Sequence, residues 1–118
     1  MYRKLTITLS NQEWIALVEM LILFPVDSIT PASTHDMVSF IMNKLTNRLQ
    51  SRETKKKNNL ILKAHEIAAM NIVIQLMADV MDLGVYETNL IDSISNSFCK
   101  WQADRYNHIH NITYGTIY

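Results

Sequence analysis

The residue types most able to bind a ligand form a basic cluster near the middle of the chain. Seven positive charges and one negative charge, that of Glu53, fall between positions 44 and 63. The positive residues are Lys44, Arg48, Arg52, Lys55, Lys56, Lys57 and Lys63. The first three are four residues apart, so on a helix they share one face and could neutralise the phosphates of a nucleic acid. We interpret the cluster as a solvated surface, with a nucleic-acid-binding patch as the alternative.

Two further observations bear on this basic cluster. No aromatic residue is interleaved with the basic ones, so the stacking side chains of a single-strand binder are missing. Acidic residues further along the chain could pair with it instead, within one chain or between subunits; they are Asp79, Asp82, Glu87 and Asp92. Lysine plus arginine equals aspartate plus glutamate, 11 each, so the molecule has no net charge to attract a polyanion.

The sequence contains no recognisable catalytic motif. Only 2 glycines are present, too few for a phosphate-binding loop or a dinucleotide fingerprint. Cys99 is the single cysteine and has no base beside it in the sequence, so we expect an unreactive thiol and no intrachain disulfide. Asp104, His108 and His110 come nearest to a zinc site, but there is no cysteine pair and no H-E-x-x-H motif. We therefore expect no enzymatic activity, no cofactor and no metal.

The composition predicts one mainly helical domain over residues 1–118. Hydrophobic residues make up 48% of the 118, and the 2 glycines and 2 prolines are too few for a strand-rich fold with many turns. The uncharged run between Glu66 and Asp79 is far shorter than the roughly 20 apolar residues of a membrane span. With a single cysteine as well, we expect a soluble, cytoplasmic protein without membrane contact.

The first elements are a strand and a well-marked helix. Residues 3–9 alternate apolar and polar, which is typical of a half-buried strand. Ser10 and Glu13 have the spacing of a capping box, and Leu9 and Trp14 have that of a hydrophobic staple. Pro25 ends the helix.

Three more helices are expected. A loop at 25–30 precedes a second helix capped by Thr30 or Ser33, and its buried stripe is Val38, Ile41, Leu45 and Leu49. Residues 50–59 are a loop or a frayed helix end. The third helix, about 60–83, is apolar over most of its circumference and ends at a left-handed Gly84. Thr88 or Asn89 caps the fourth, whose stripe is Leu90, Ile91, Ile94, Phe98 and Trp101. Residues 107–118 are predicted to be extended and could form a strand.

The lone first strand and the apolar third helix both bear on assembly. An unpaired strand needs a partner, which is either the carboxyl-terminal tail or the same strand of a second copy. The third helix is either the centre of the domain or part of a subunit interface. We therefore expect a homodimer, and a methionine-lined cleft between the second and third helices is the best-motivated pocket.

The order strand, capped helix, second helix resembles the ribbon-helix-helix repressors over about the first fifty residues. The resemblance implies that strands of two subunits pair and that Lys4, Thr6 and Thr8 face the major groove of DNA. The long 25–31 connection departs from the short glycine-containing turn of that pattern. We conclude that the protein is a small interaction or regulatory protein acting through protein contacts. The alternative is a DNA-binding regulator that uses this strand or the basic cluster.

Overall fold

The computed structural model describes residues 4–29 and 31–114, with side chains up to residue 106. Four helices and two strands follow one another in these residues, which confirms the predicted mainly helical class. The elements are β1 (Leu5–Ser10), α1 (Asn11–Leu23), a 3-10 turn (Val26–Ser28), α2 (Ala32–Gln50), β2 (Lys57–Leu62), α3 (Ala64–Val80) and α4 (Val85–Tyr114).

The two strands form an antiparallel sheet within the chain. Leu5 lies opposite Leu62, and Ser10 lies opposite Lys57. For the described residues, the alternative that β1 pairs with the carboxyl-terminal tail is therefore wrong. The prediction that residues 57–59 belong to a loop and residues 60–62 to the third helix is also wrong, because they form β2. The run Leu60 to Leu62 has the apolar character of the helix that follows, and short apolar runs do not distinguish strand from helix. In the structure its side chains alternate between buried and exposed.

The start of α1 agrees with its sequence signals. The Ser10 hydroxyl accepts from the Glu13 amide at 3.1 Å, and the Glu13 carboxylate accepts from the Ser10 amide at 2.9 Å. This is the reciprocal capping box that satisfies two helix-terminal donors. Leu9 and Trp14 are both buried. The helix ends at Leu23, just before Pro25.

The remaining helix ends differ from prediction. Pro31 precedes α2 without a side-chain cap, so Ser33 does not cap it, and Thr30 lies outside the described residues. The α3 helix begins at Ala64 and ends at Val80. Gly84 does not adopt the left-handed conformation. Its carbonyl instead accepts from the Thr88 amide at 3.0 Å, so α4 starts there rather than after Thr88 or Asn89.

The predicted extended tail is helical as far as it is described. The α4 backbone continues to Tyr114, and residues 115–118 lie outside the described part of the chain. Ile109 and Ile112 continue in the sequence the three- and four-residue spacing of the α4 stripe, interrupted by Arg105. The Arg105 guanidinium lies 5.6 Å from the centre of the Trp101 ring. A charged residue is therefore accommodated at this position of the stripe, because it packs on the aromatic ring at the helix surface.

The core is one cluster to which every helix contributes, with α3 packed against both α2 and α4. The predicted α4 stripe is buried along its length. On α3 the solvent strip includes His65, Ala68, Gln75 and Asp79. Glu66, in the first turn of the same helix, is only 6% exposed. A buried charged side chain requires a partner, and the partner of Glu66 is Arg48 of the basic cluster.

Candidate functional site: the basic cluster and the groove between α1 and α2

The basic cluster is divided between α2 and the connection to β2. Lys44 and Arg48 lie on α2, Arg52, Lys55 and Lys56 follow it, and Lys57 begins β2. Lys63, the seventh, lies between β2 and α3, and all seven residues are exposed. Exposure alone does not distinguish a phosphate-binding surface from a structural one, so the contacts of the individual side chains decide how many are free to bind.

Arg48 links α2 to the sheet and to α3. Its Nη1 lies 3.0 Å from Oε2 of the buried Glu66, and its Nη2 donates to the Ile61 carbonyl at 3.3 Å. The other oxygen of Glu66 accepts from the Lys63 amide at 2.9 Å. Glu66 therefore satisfies the first turn of α3 and neutralises Arg48 at once, which explains why a carboxylate is tolerated in this position.

Arg52 makes a second link of the same kind. Its Nη1 donates to the Asn59 carbonyl at 2.7 Å, and its guanidinium lies 5.0 Å from the centre of the buried Trp14 ring. Hydrogen bonding and the stacking of a planar cation on an indole both restrict the side chain. Two of the predicted nucleic-acid contacts are thus engaged within the chain.

The lysines of the cluster are held less firmly. Lys44 lies with Nζ 4.5 Å from the centre of the exposed Phe40 ring. Lys55 is fixed through its backbone, because the buried Asn58 accepts from its amide at 2.7 Å and donates to its carbonyl at 2.8 Å. Among the described residues Arg48 forms an ion pair with Glu66, and His35 lies 3.7 Å from Asp27 and 3.2 Å from Asp36. The alternative that the cluster pairs with the downstream acidic residues is not found in this part of the chain.

The described residues form a groove between α1 and α2. It has a volume of about 380 Å³, within the range of ligand-binding clefts. Its floor is apolar and includes Leu21, Phe24, Val38, Met42 and Val73. The groove agrees only in part with the predicted methionine-lined cleft between the second and third helices. Met42 of α2 and Val73 of α3 lie at its floor, but α1 supplies the opposite wall.

The two walls of this groove differ in chemistry. On the α1 side and in the turn after it, Ile22 and Val26 are exposed apolar side chains. The α2 side consists of neutral polar residues: Ser39, Asn43, Thr46, Asn47 and Gln50. None of the described residues lining the groove is charged. Burial also leaves the Ser39 hydroxyl oxygen without a hydrogen-bond partner in this part of the chain.

The groove continues beyond Gln50 into a smaller hollow. This hollow has a volume of about 140 Å³ and is lined by Trp14, Ile15 and Val18 of α1 together with Leu49 and Arg52. From Ser39 to Gln50 the wall of α2 runs about 17 Å, at 1.5 Å per residue, which is about three helical turns. A sequence signal for this surface existed, since one flank of α2 carries five neutral polar residues where charged ones are more usual.

The outward face of β1 agrees with the prediction, since Lys4, Thr6 and Thr8 are all exposed. Thr8 is nevertheless bonded across the sheet, its hydroxyl donating to Oδ1 of Asn59 at 3.0 Å. The ribbon-helix-helix resemblance implied that β1 pairs with a strand of a second subunit, whereas in the structure β1 also pairs with β2 of its own chain.

Other sites can be described briefly. In the part of the chain that the structure describes, no three His, Cys, Asp or Glu side chains come together to hold a metal; those of His108 and His110 fall outside it. No described helix is both long enough and apolar enough to cross a bilayer. Comparison with protein-family models, with curated proteins and with solved structures finds no match to this chain.

Proposed function

We propose that this protein is a small, non-enzymatic interaction protein that binds a helix of a partner protein in the groove between α1 and α2. The observation that carries the proposal is the groove itself: it has an apolar floor beside an α2 wall about three turns long, and no charged residue lines it. An amphipathic helix laid in an apolar groove is a recurrent mode of peptide recognition.

The walls specify what kind of helix fits. A partner helix would place apolar side chains at i, i+3 or i+4, and i+7 on the floor formed by Leu21, Val38 and Met42. Its flank towards α2 would carry neutral hydrogen-bonding residues, because a charged side chain there would lose water without finding an opposite charge.

The test is selection of a displayed library of amphipathic helical peptides against the purified protein. Two neighbouring variants separate groove binding from general adhesion. Ile22→Glu places a charge on the groove wall, whereas Leu23→Glu places the same charge on an exposed side chain that does not line the groove. We expect enriched peptides to bind the wild type and Leu23→Glu equally, and to lose at least about tenfold in affinity for Ile22→Glu. No enrichment, or equal binding to Ile22→Glu, would refute the proposal.

Binding to DNA is the weaker candidate, since Arg48 and Arg52 already have partners within the chain. The charges of the cluster that remain are the exposed lysines at positions 44, 55–57 and 63. Titration of a labelled duplex at two salt concentrations tests it, because phosphate contacts lose affinity steeply as salt rises. We expect no binding that depends on these lysines; a steep salt dependence abolished by replacing Lys55, Lys56 and Lys57 with alanine would reverse the ranking.

We also propose that the protein acts as a homodimer in the cytoplasm. The exposed free thiol of Cys99 is compatible with a reducing compartment. The pairing of β1 with β2 removes one earlier reason for a dimer, since β1 has a partner in its own chain. A different reason comes from the opposite edge of β1.

A further inference from the structure

The two edges of the sheet are covered differently. The outer edge of β2 faces α2, where Arg48 and Arg52 donate to the carbonyls of Ile61 and Asn59. Edge strands with free backbone groups tend to pair with other chains, and capping by side chains blocks this. The β2 edge is therefore closed by the chain itself.

The same contacts establish which groups lie on the outer edge of β1. In an antiparallel ladder the amide and carbonyl of one residue point to the same side, and the side alternates along the strand. The carbonyls of Asn59 and Ile61 bind arginines, so they point away from β1. Their cross-strand neighbours are Thr8 and Thr6, which must therefore point away from β2.

The capping box supports this assignment independently. Ser10 lies two residues after Thr8 and four after Thr6, so its amide points to the same side of the strand as theirs. That amide donates to the Glu13 carboxylate instead of to β2. The amides and carbonyls of Thr6 and Thr8 thus form the outer edge of β1. No hydrogen bond to these four groups is found within the part of the chain that the structure describes.

The sequence of this edge is self-complementary. Residues 5–9 read Leu-Thr-Ile-Thr-Leu, the same in both directions. A two-fold axis through Ile7 therefore places each threonine opposite a threonine and each leucine opposite a leucine. It also places Lys4 opposite Ser10 of the second copy, so the lysines of the two copies do not face each other.

We propose that two copies of the protein associate by pairing their β1 strands antiparallel about Ile7, which joins two two-stranded sheets into one of four strands. Thr6 and Thr8 of the second copy exchange amide–carbonyl hydrogen bonds with Thr8 and Thr6, two in each pair. The inference deepens the homodimer proposed above and is independent of the groove.

The side chains of β1 are compatible with this arrangement. Ile7 and Leu9 are buried in the core, so both copies present their apolar side chains to the same face of the joined sheet. Thr6 and Thr8 are exposed on the other face, where threonine pairs on adjacent strands are favourable. The outer edge contains no proline, and its only described charge is Lys4, at the end.

The first test combines light scattering with amide exchange on the full chain. We expect a mass of twice 13.7 kDa at high concentration. The amides of Leu5, Ile7 and Leu9 face β2 and should be protected at every concentration. Those of Thr6 and Thr8 should exchange fast in dilute solution and slowly when the dimer forms. Protection of Thr6 and Thr8 that does not vary with concentration would overturn the inference.

Thr6→Pro tests the hydrogen bonds. Proline is tolerated where the amide faces outward from an edge strand, so the ladder to β2 remains, but two of the four intermolecular bonds disappear by symmetry. We expect dimerisation to weaken roughly thirtyfold. Thr6→Val keeps the amide and the β-branched shape and should dimerise like the wild type. Circular dichroism confirms that both variants are folded.

A charge exchange tests the register. Thr6→Lys with Thr8→Lys places lysines opposite each other and should prevent association, whereas Thr6→Lys with Thr8→Glu places opposite charges across the axis and should restore it. A monomer at all concentrations would refute the homodimer itself. A dimer insensitive to Thr6→Pro and to the charge exchange would refute only this mode of pairing. Ile22→Glu should leave the mass unchanged.

Discussion

The contact between Arg48 and Glu66 gives the most decisive test of how the basic cluster is used. Glu66 is 6% exposed; it accepts a hydrogen bond from the Lys63 amide and forms an ion pair with the Arg48 guanidinium. In Glu66→Gln the side-chain oxygen can still accept from Lys63. The amide nitrogen then replaces the oxygen that lies 3.0 Å from Arg48, so a donor faces a donor.

The size of this effect depends on the cost of losing the contact and on two compensating contributions. A hydrogen bond to a charged group contributes about 1.5–3 kcal/mol, and breaking a fully buried ion pair costs about 3–5 kcal/mol. The Arg48 side chain is 52% exposed and can regain water, which lowers the cost. The glutamine also removes the penalty of burying a carboxylate. We therefore expect a loss of about 2 kcal/mol in the free energy of unfolding, or roughly 8 °C in Tm.

The assay is urea unfolding followed by circular dichroism, with Glu19→Gln on the exposed side of α1 as the control. A double-mutant cycle with Arg48→Ala should show that the two substitutions are not additive, because they remove the same contact. A change below about 0.5 kcal/mol for Glu66→Gln would contradict the reasoning. Arg48 would then be free to bind a phosphate, and the DNA-binding alternative would gain support.

Two further predictions concern the connection between α2 and β2, and the same unfolding measurement checks both. Asn58→Ala should destabilise the protein by about 2 kcal/mol, because the buried amide bonds to both backbone groups of Lys55; exposed Asn59→Ala should cost less than about 0.5 kcal/mol. Equal losses would contradict this. Arg52→Ala should cost about 1–1.5 kcal/mol and Lys56→Ala nothing measurable, since only Arg52 bonds to β2. Equal effects would show that Arg52 is not a structural residue.

The elements that sequence reasoning located correctly are those with local signals. The capping box of Ser10 and Glu13, the stop at Pro25 and the α4 stripe each depend on residues a few positions apart. The strand β2 was missed because its pairing with β1 joins residues about fifty positions apart, and its apolar run also suits a helix. The same uncertainty misplaced the start of α3.

For the candidate sites too, the sequence indicated some features and the tertiary structure decided the others. The positions of the basic residues were readable from the sequence, but their contacts were not. Arg48 and Arg52 become structural only because Glu66 and the outer carbonyls of β2 are brought against α2. The groove between α1 and α2 could not be located either, because helix spacing predicts an apolar face without predicting which helix covers it.

The amino-acid sequence by itself determined the helical class, the first strand and its outward threonines, and the self-complementary run from Leu5 to Leu9. These depend on composition and on short spacings, which persist in any arrangement of the elements. Only the tertiary structure decided which edge of the sheet is open and which charges are neutralised. Both depend on contacts between distant parts of the chain, and the direction of a backbone amide is decided by its partner strand.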